Sequence, residues 1–388
     1  MYDSEYQFVI GSLDVGGAET HLARVLPRLA ERGYRVSVLV FWRRGALADK
    51  LQAQGVKVIS NRFFAGAKGR WWRPRFWVGG FGRIRFLTSN VCRADNAVVC
   101  LFLPHSYLLG APAHYFARSR SRLIVFRRSL NNYQNSNIFL RWIERKLHAY
   151  PDQFVANSAA VSRQLIDEEA VSDRKTTLIY NGIDLQEFDS ELTSKNVRLE
   201  LGVPVSSILL VVVANLLPYK GHIDLLRALS LLSKEAQRDV FLVCVGGGVD
   251  ARADLKELAS ELALDKQVAW LGSRADVPSL LSCADIGVLP SHEEGFSNAI
   301  LEGMAASLPM VVTDVGGNAE AVIDGETGLV VPSKNPKALA AALEKLIFDA
   351  ESRQSMGKAG RKRVQECFSL DSCVDAYEAL FHEVLGSR

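Results

Sequence analysis

Glu294 and Glu302 stand eight residues apart in the run Ser291-His-Glu-Glu-Gly-Phe-Ser-Asn-Ala-Ile-Leu-Glu-Gly-Met304, directly after the apolar stretch Ile286–Leu289. Gly295 permits a tight turn, and Ser297 or Asn298 can cap a helix that carries Ile300 and Leu301 inward. Eight helical residues span about 12 Å, so Glu294 falls at the mouth of that helix and Glu302 roughly two turns along it. The backbone N–H groups of Gly295, Phe296, Ser297 and Asn298, with the positive helix end, make a site for phosphate or sugar oxygens. Two carboxylates so placed could grip hydroxyls at opposite ends of one nucleotide sugar. An amphipathic surface helix with incidental acids has the same spacing, and spacing alone leaves both readings open.

Gly246-Gly-Gly248-Val-Asp-Ala251 follows the apolar run Phe241–Val245 and fits a loose G-x-G-x-x-A dinucleotide fingerprint. That fingerprint needs an acidic residue ending the next strand, to bind ribose. Here the next strand, Val268–Leu271, ends in Gly272-Ser273. A nicotinamide cofactor is therefore set aside, and these glycines are expected to line a nucleotide cleft. The six cysteines (Cys92, Cys100, Cys244, Cys283, Cys367, Cys373) form no C-x-x-C pair and read as free thiols in a reducing cytosol. No residues have metal-ligand spacing, so neither metal nor cofactor is expected. Met1-Tyr-Asp-Ser-Glu5 lacks the basic start and apolar run of a signal peptide. The longest apolar stretch, Ile208–Leu217, is too short for a span of about 20 residues.

These residues need elements to hold them. A strand-like run at Tyr6–Ile10 leads through the turn Gly11–Gly17 into a helical pattern with Leu22, Val25, Leu26 and Leu29 inward, which Pro27 should kink or weaken. Further strand-like runs follow at Val36–Val40, Val56–Ile59, Ala97–Leu103, Leu123–Phe126, Gln153–Ala156 and Thr177–Tyr180. After the turn Asn181–Asp184 and a polar linker at Gln186–Asn196, a second series runs through Ile208–Val213, Val240–Val245, Val268–Leu271, Ile286–Leu289, Met310–Thr313 and Leu329–Val331. Strand and helix in alternation predict an α/β chain of two doubly wound parallel-sheet domains, with ligands in a cleft at the carboxyl ends of the strands. The expected bounds are 1–190 and 191–368.

The formal charge of +3 hides a division: 27 Lys/Arg against 16 Asp/Glu in residues 1–190, and 19 against 27 thereafter. Between Asp49 and Asp95 there are ten bases and no carboxylate. From 62 to 93 the bases interleave with Phe63, Phe64, Trp71, Trp72, Phe76, Trp77, Phe81 and Phe86. Such a segment suits an anionic membrane surface. It could instead be a solvated loop and helix packed on the sheet; nucleic acid is disfavoured because no nucleic-acid module surrounds it.

Taken together, Glu294-x7-Glu302, the runs Met310–Asn318 and Glu320–Pro332, Val213-Ala-Asn-Leu-Leu-Pro-Tyr-Lys-Gly-His222, Gly16-Gly-Ala-Glu-Thr-His21 and Ile179-Tyr-Asn-Gly-Ile-Asp184 resemble the retaining nucleotide-sugar glycosyltransferases of family 4 over nearly the whole chain. The resemblance implies a GT-B fold, two Rossmann-like domains facing across a cleft, with the acceptor on the first and the donor on the second. The final helix, in 369–388, is expected to pack back on the first domain. Lys220 is implied at the donor diphosphate, where an ammonium offsets charge on the leaving group. Glu302 is implied at the ribose and Glu294 at the transferred sugar, while Gly16 and Gly17 let the backbone approach the diphosphate.

Two positions depart from the family. Asn215 stands where Arg is usual, with Arg274 as a candidate substitute, and Arg127 stands where many relatives place a catalytic His. A guanidinium is no base, so Arg127 is expected to bind phosphate on acceptor or donor. His105 becomes the candidate for contacting the acceptor hydroxyl, with His21 and His292 of similar standing. The expected reaction moves a sugar from a UDP- or GDP-linked donor to a glycan or polyprenyl-linked acceptor, with retention by same-face displacement. The setting would be surface polysaccharide or lipopolysaccharide synthesis at the inner face of the cell membrane. An epimerase or phosphorylase on the same scaffold, and a catalytically weak glycosyltransferase-like binding protein, are the alternatives.

Overall fold

A computed structural model of the chain describes residues 4–60, 74–131, 138–189, 194–204 and 206–386. It forms two compact units, Met1–Gly182 with Leu370–Arg388, and Ile183–Ser369.

The first unit is built on seven parallel strands: β1 (Glu5–Ser12), β2 (Arg35–Arg43), β3 (Lys57–Ser60), β4 (Val98–Phe102), β5 (Arg122–Arg127), β6 (Gln153–Ala156) and β7 (Thr176–Leu178). Their order is β3-β2-β1-β4-β5-β6-β7. A parallel sheet is covered on both faces, so its strands read as continuous apolar runs. Alternation divides each run between two cores. Phe8, Ile10, Cys100, Phe102 and Phe126 pack against Leu22, Val25, Leu26 and Leu29 of the helix Gly17–Glu31 and against the C-terminal helix. Val9, Leu39, Val99, Leu101 and Val125 face the other way, onto Leu87, Tyr107 and Ala111. Pro27 does not end its helix, which runs unbroken from Gly17 to Glu31 while burying four leucine and valine side chains.

The C-terminal helix, Leu370–Gly386, belongs to this unit. Tyr377 stacks on Phe126 at 5.3 Å and Phe381 packs on Tyr6 at 4.5 Å. Arg32 bonds Asp375 and Glu378 on its outer side at 2.6 and 2.8 Å.

The second unit repeats the plan with β8 (Ile208–Val213), β9 (Val240–Val245), β10 (Val268–Gly272), β11 (Ile286–Leu289), β12 (Met310–Thr313) and β13 (Gly328–Val331), all parallel in the order β10-β9-β8-β11-β12-β13. The stretch expected as a linker begins inside this unit. Residues Leu185–Phe188 form a 3-10 turn, Phe188 is buried, Ile183 donates its N–H to Phe368, and Asp189 pairs with Arg361. The division thus falls at 182/183, earlier than 190/191, because Ile183 and Phe188 find apolar partners there that a polar composition does not advertise.

The first part of the basic–aromatic segment, 62–73 with Arg62, Phe63, Phe64, Trp71 and Trp72, lies outside the described residues. Its remainder enters the helix Pro74–Asn90. There Arg83 is buried with its guanidinium 5.2 Å over the Trp42 ring, and Phe86 packs on the second core. Those two side chains serve packing. Among the described residues no helix is long and apolar enough to cross a membrane.

Candidate donor and acceptor sites

In both sheets the strand order reverses beside the first strand, β1 next to β4 and β8 next to β11. Crevices outside the carboxyl ends of strands at such reversals are where this architecture binds ligands.

In the second unit, β8 delivers the loop Ala214–Gly221 and β11 delivers Pro290–Ser297. Lys220 Nζ donates to Glu294 Oε1 at 2.6 Å, and Ser291 Oγ donates to the same oxygen at 2.7 Å. The His292 N–H donates to the Tyr219 carbonyl at 2.7 Å, and His292 Nε2 lies 2.6 Å from Asp224 Oδ2. A cation and a carboxylate 74 positions apart in sequence are thereby held on one spot. Backbone geometry enforces it. Gly221 has φ +71°, and a Cβ there would stand 1.9 Å from the Pro290 carbonyl. Gly316, after β12, has φ +54° and would place a Cβ 1.9 Å from the Glu294 carbonyl. Gly317 also donates its N–H to Gly295 at 2.8 Å.

The turn after Glu294 is anchored by Phe296, which is buried 5.3 Å from the Phe368 ring. Ser297 takes the N-cap of the helix Asn298–Ala305 but makes no side-chain capping bond. The cap side chain therefore does not occupy the first N–H groups of that helix. Glu302 is buried on the same helix. Asn215 accepts from the Gly247 N–H at 3.0 Å, and Gly246 donates to the Gly272 carbonyl at 2.9 Å, so these residues knit the ends of β8, β9 and β10. Arg274, the candidate substitute at Asn215's position, is engaged with carboxylates of its own surroundings. Its guanidinium is held by Asp276 at 2.6 Å and Glu200 at 3.3 Å. Asp276 raises its pKa further, and the charge is matched within the loop.

Asp224 and Ser291 were not singled out from the sequence. Their signal is weak: each is an ordinary polar residue whose role appears only when β8 and β11 become neighbours. His222 was missed too. It is buried, both ring nitrogens lack a hydrogen-bond partner, and burial followed by Lys220 pushes its pKa down to about 4.

In the first unit, Gly16 caps the helix Gly17–Glu31 with no side-chain bond, and a Cβ on Gly17 would meet nothing within 4 Å. Packing within the chain therefore does not require glycine at 17. Glu19, in the first turn, has its pKa raised by burial. His105 opens the helix Pro104–Phe116 edge-on to Trp42 at 5.8 Å, with its pKa lowered by the protein packed around it. The preceding Leu103 has φ +72°, a strained value for a branched residue, at the mouth of β4. His21 is buried, with Nε2 2.9 Å from Tyr377 Oη, and desolvation holds its pKa well below the usual value.

Arg127 is the clearest correction. It does not face a ligand: it is fully buried, bonding Glu144 at 2.6 Å and Glu169 at 2.6 and 2.7 Å. His148 joins Glu169 at 2.8 Å and Tyr107 joins His148 at 2.9 Å. Burial alone would raise the Glu169 pKa, but His148 and Arg127 outweigh it and hold the carboxyl below its usual range. The neighbouring Arg128 turns to the other face, as strand alternation requires. Its guanidinium lies 5.9 Å over the Phe102 ring, and Nε is buried without a hydrogen-bond partner. Burial lowers its pKa, against the nearby Tyr377, Cys373 and Glu19.

Among the described residues no three His, Cys, Asp or Glu side chains converge as metal ligands. The same described residues contain only free cysteines, Cys367 exposed, Cys92 half-buried and the other four buried.

Residues 15–187 match Glycosyltransferase Family 4, and residues 194–363 match Glycosyl transferases group 1. A D-inositol 3-phosphate glycosyltransferase of Geodermatophilus obscurus is 30% identical over 414 residues, covering 97% of this chain and 88% of that protein. An N-acetyl-alpha-D-glucosaminyl L-malate synthase of Bacillus anthracis is 30% identical over 230 residues, covering 58% of this chain and 59% of the relative. Among solved structures, Anabaena HepE in complex with UDP and glucose superposes with a TM-score of 0.83 at 22% identity, over 98% of this chain and 100% of that one. The chain belongs to glycosyltransferase family 4 and is a hexosyltransferase with the GT-B fold.

Proposed function

We propose that this chain moves a hexosyl group, with retention, from a nucleotide-diphosphate sugar to a glycan or polyprenyl-linked acceptor. One observation carries the reading: Lys220 and Glu294 share an oxygen contact at the reversal between β8 and β11. An ammonium there neutralises charge that develops on the diphosphate as it leaves. The carboxylate beside it accepts hydroxyls of the sugar being moved. Glu302, on the helix begun by Gly295–Asn298, takes the ribose. The UDP complex of the structural neighbour HepE favours a nucleotide donor, UDP- or GDP-linked.

In the reaction the bond from the anomeric carbon to the diphosphate oxygen breaks. The acceptor oxygen bonds to the same face, and its proton passes to the departing phosphate. Lys220 and the helix N-terminus hold the leaving group throughout, and His105 contacts the acceptor hydroxyl. The relative acting on D-inositol 3-phosphate supports an acceptor that carries phosphate. Arg128, a half-buried cation over the Phe102 ring that feels Glu19, supplies matching charge for one. The setting proposed is surface polysaccharide synthesis at the cytoplasmic face of the membrane.

The test is release of nucleoside diphosphate from each candidate donor, with and without a lipid extract supplying acceptor. Acceptor-dependent release supports transfer. Conversion of the donor sugar without any acceptor would identify an epimerase instead.

A further inference from the structure

The helix Ile138–Leu147 turns three large apolar side chains outward, while Leu140, Ile143 and Leu147 are half-buried. Ile138 is 83% exposed, Phe139 69% and Trp142 57%, and the Phe139 and Trp142 rings stack at 6.3 Å. Its inward side also carries Glu144, completely buried against Arg127. A helix stabilised only by its own core would turn such apolar side chains inward. Four residues after Trp142, Lys146 lines a groove of about 400 Å³ whose far wall is Tyr115 and Phe116, 65% and 66% exposed, at the end of the helix Pro104–Phe116. The two helices thus present one continuous aromatic stripe.

Bases outnumber acids around these rings, although Asp95 pairs with Arg120 and Asp152 lies beside Tyr150 of the groove. Between Asp95 and Asp152 the only carboxylate is Glu144, which is buried and paired, whereas Arg118, Arg120, Arg141, Arg145 and Lys146 all fall in this stretch. Arg120 stands 3.8 Å from Asp95, and Arg145 donates to the Glu168 carbonyl. Exposed rings flanked by long basic side chains match a bilayer interface, where rings sit at headgroup depth and bases snorkel to phosphate. A second copy of the chain would set these bases against one another.

We propose that this stripe seats the first unit on an anionic lipid surface. The inference shares with the proposed function only the idea of a membrane-borne acceptor, and it stands on side chains outside the donor and acceptor sites. It also differs from the expectation drawn from residues 62–93, since none of its residues lies there.

Cosedimentation with phosphatidylcholine vesicles, and with vesicles of phosphatidylcholine and phosphatidylglycerol in equal parts, tests it. The wild type should sediment with the mixed vesicles and not with the neutral ones. F139S/W142S and R145E/K146E should each lose about tenfold in partitioning, with unchanged melting temperature and unchanged donor binding. A W71S/W72S/R73S variant should keep most of its binding. Equal sedimentation of F139S/W142S and wild type would overturn the proposal, as would wild type that ignores both vesicles. A dimer on size exclusion that F139S/W142S dissociates, with no vesicle binding, would overturn it in favour of a self-association face. Donor binding is read separately, so failure on vesicles leaves the transferase reading standing, and loss of turnover with intact vesicle binding does the reverse.

Discussion

Adjacent arginines at the end of β5 have opposite fates, and that difference is measurable. Arg127 satisfies two buried carboxylates, so Arg127→Ala takes the guanidinium from Glu144 and Glu169 and leaves Glu169 to His148. Removing one member of a buried ion pair costs about 3–5 kcal/mol, and the expected result is a melting temperature lowered by several degrees. Arg128→Ala should leave stability nearly intact and lower kcat/KM for a phosphate-bearing acceptor. If the two variants exchange these phenotypes, the assignment of faces is wrong. At the donor site, Lys220 and Glu294 touch, so their effects should not add. The double variant K220A/E294A is expected to lose less activity than the product of the single losses. Fully multiplicative losses would mean the two side chains act apart. The family resemblance singled out Lys220, Glu294 and the glycines, and the structure brings Lys220 and Glu294 into contact. The sequence could not supply which arginine turns inward, since strand alternation fixes opposite faces but not which face holds the carboxylates. That answer depends on Glu144 and Glu169, both distant in sequence.

Strands and their order were the most legible elements, because parallel strands buried on both faces leave unbroken apolar runs. Every apolar run picked out in the sequence became a strand, from β1 to β13. The boundary was less legible. A polar stretch after Asp184 looked like a linker, yet Ile183 and Phe188 pack into the second unit, and two apolar residues do not shift a composition window. Leu103 shows another limit, since no sequence pattern announces a left-handed leucine. Loop geometry gives a direct test at this scale. Gly221→Ala forces a Cβ into the Pro290 carbonyl at positive φ, and should cost more than about 1 kcal/mol. It should also weaken donor binding by parting the loops that bear Lys220 and Glu294. An alanine variant with normal donor affinity would show that this close approach does not position the site.

For the molecule as a whole, buried histidines in both units weaken stability in acid: His114 and His222, and with them His21, whose pKa burial also holds down. Desolvation pushes His114 and His222 from 6.5 down to about 4. In the unfolded chain both protonate near pH 6.5, so between there and pH 4 the unfolded state binds more protons. Their contribution is complete above pH 6.5 and is lost as pH falls, by up to about 1.4 kcal/mol per pH unit for each histidine. Urea unfolding at pH 7.5 and 5 should show the decline, and His222→Asn should flatten it for the second unit. The charge imbalance between the halves also takes a sharper form here. In the first unit the cations include a buried structural arginine, Arg127, a half-buried one over Phe102, Arg128, and exposed bases beside exposed aromatic rings. In the second, acidic overall, Lys220 is fixed against Glu294. The central claim is that this pair divides one donor between them, Lys220 taking the diphosphate and Glu294 the sugar. Thermal shift with a panel of nucleotide sugars and their free nucleoside diphosphates measures it directly, because ligand binding raises stability by mass action. One nucleotide sugar should stabilise the wild type, K220A should lose the response to sugar donor and free diphosphate alike, and E294A should keep only the diphosphate response. Wild-type responses in both variants, or no response of the wild type to any nucleotide sugar, would contradict it.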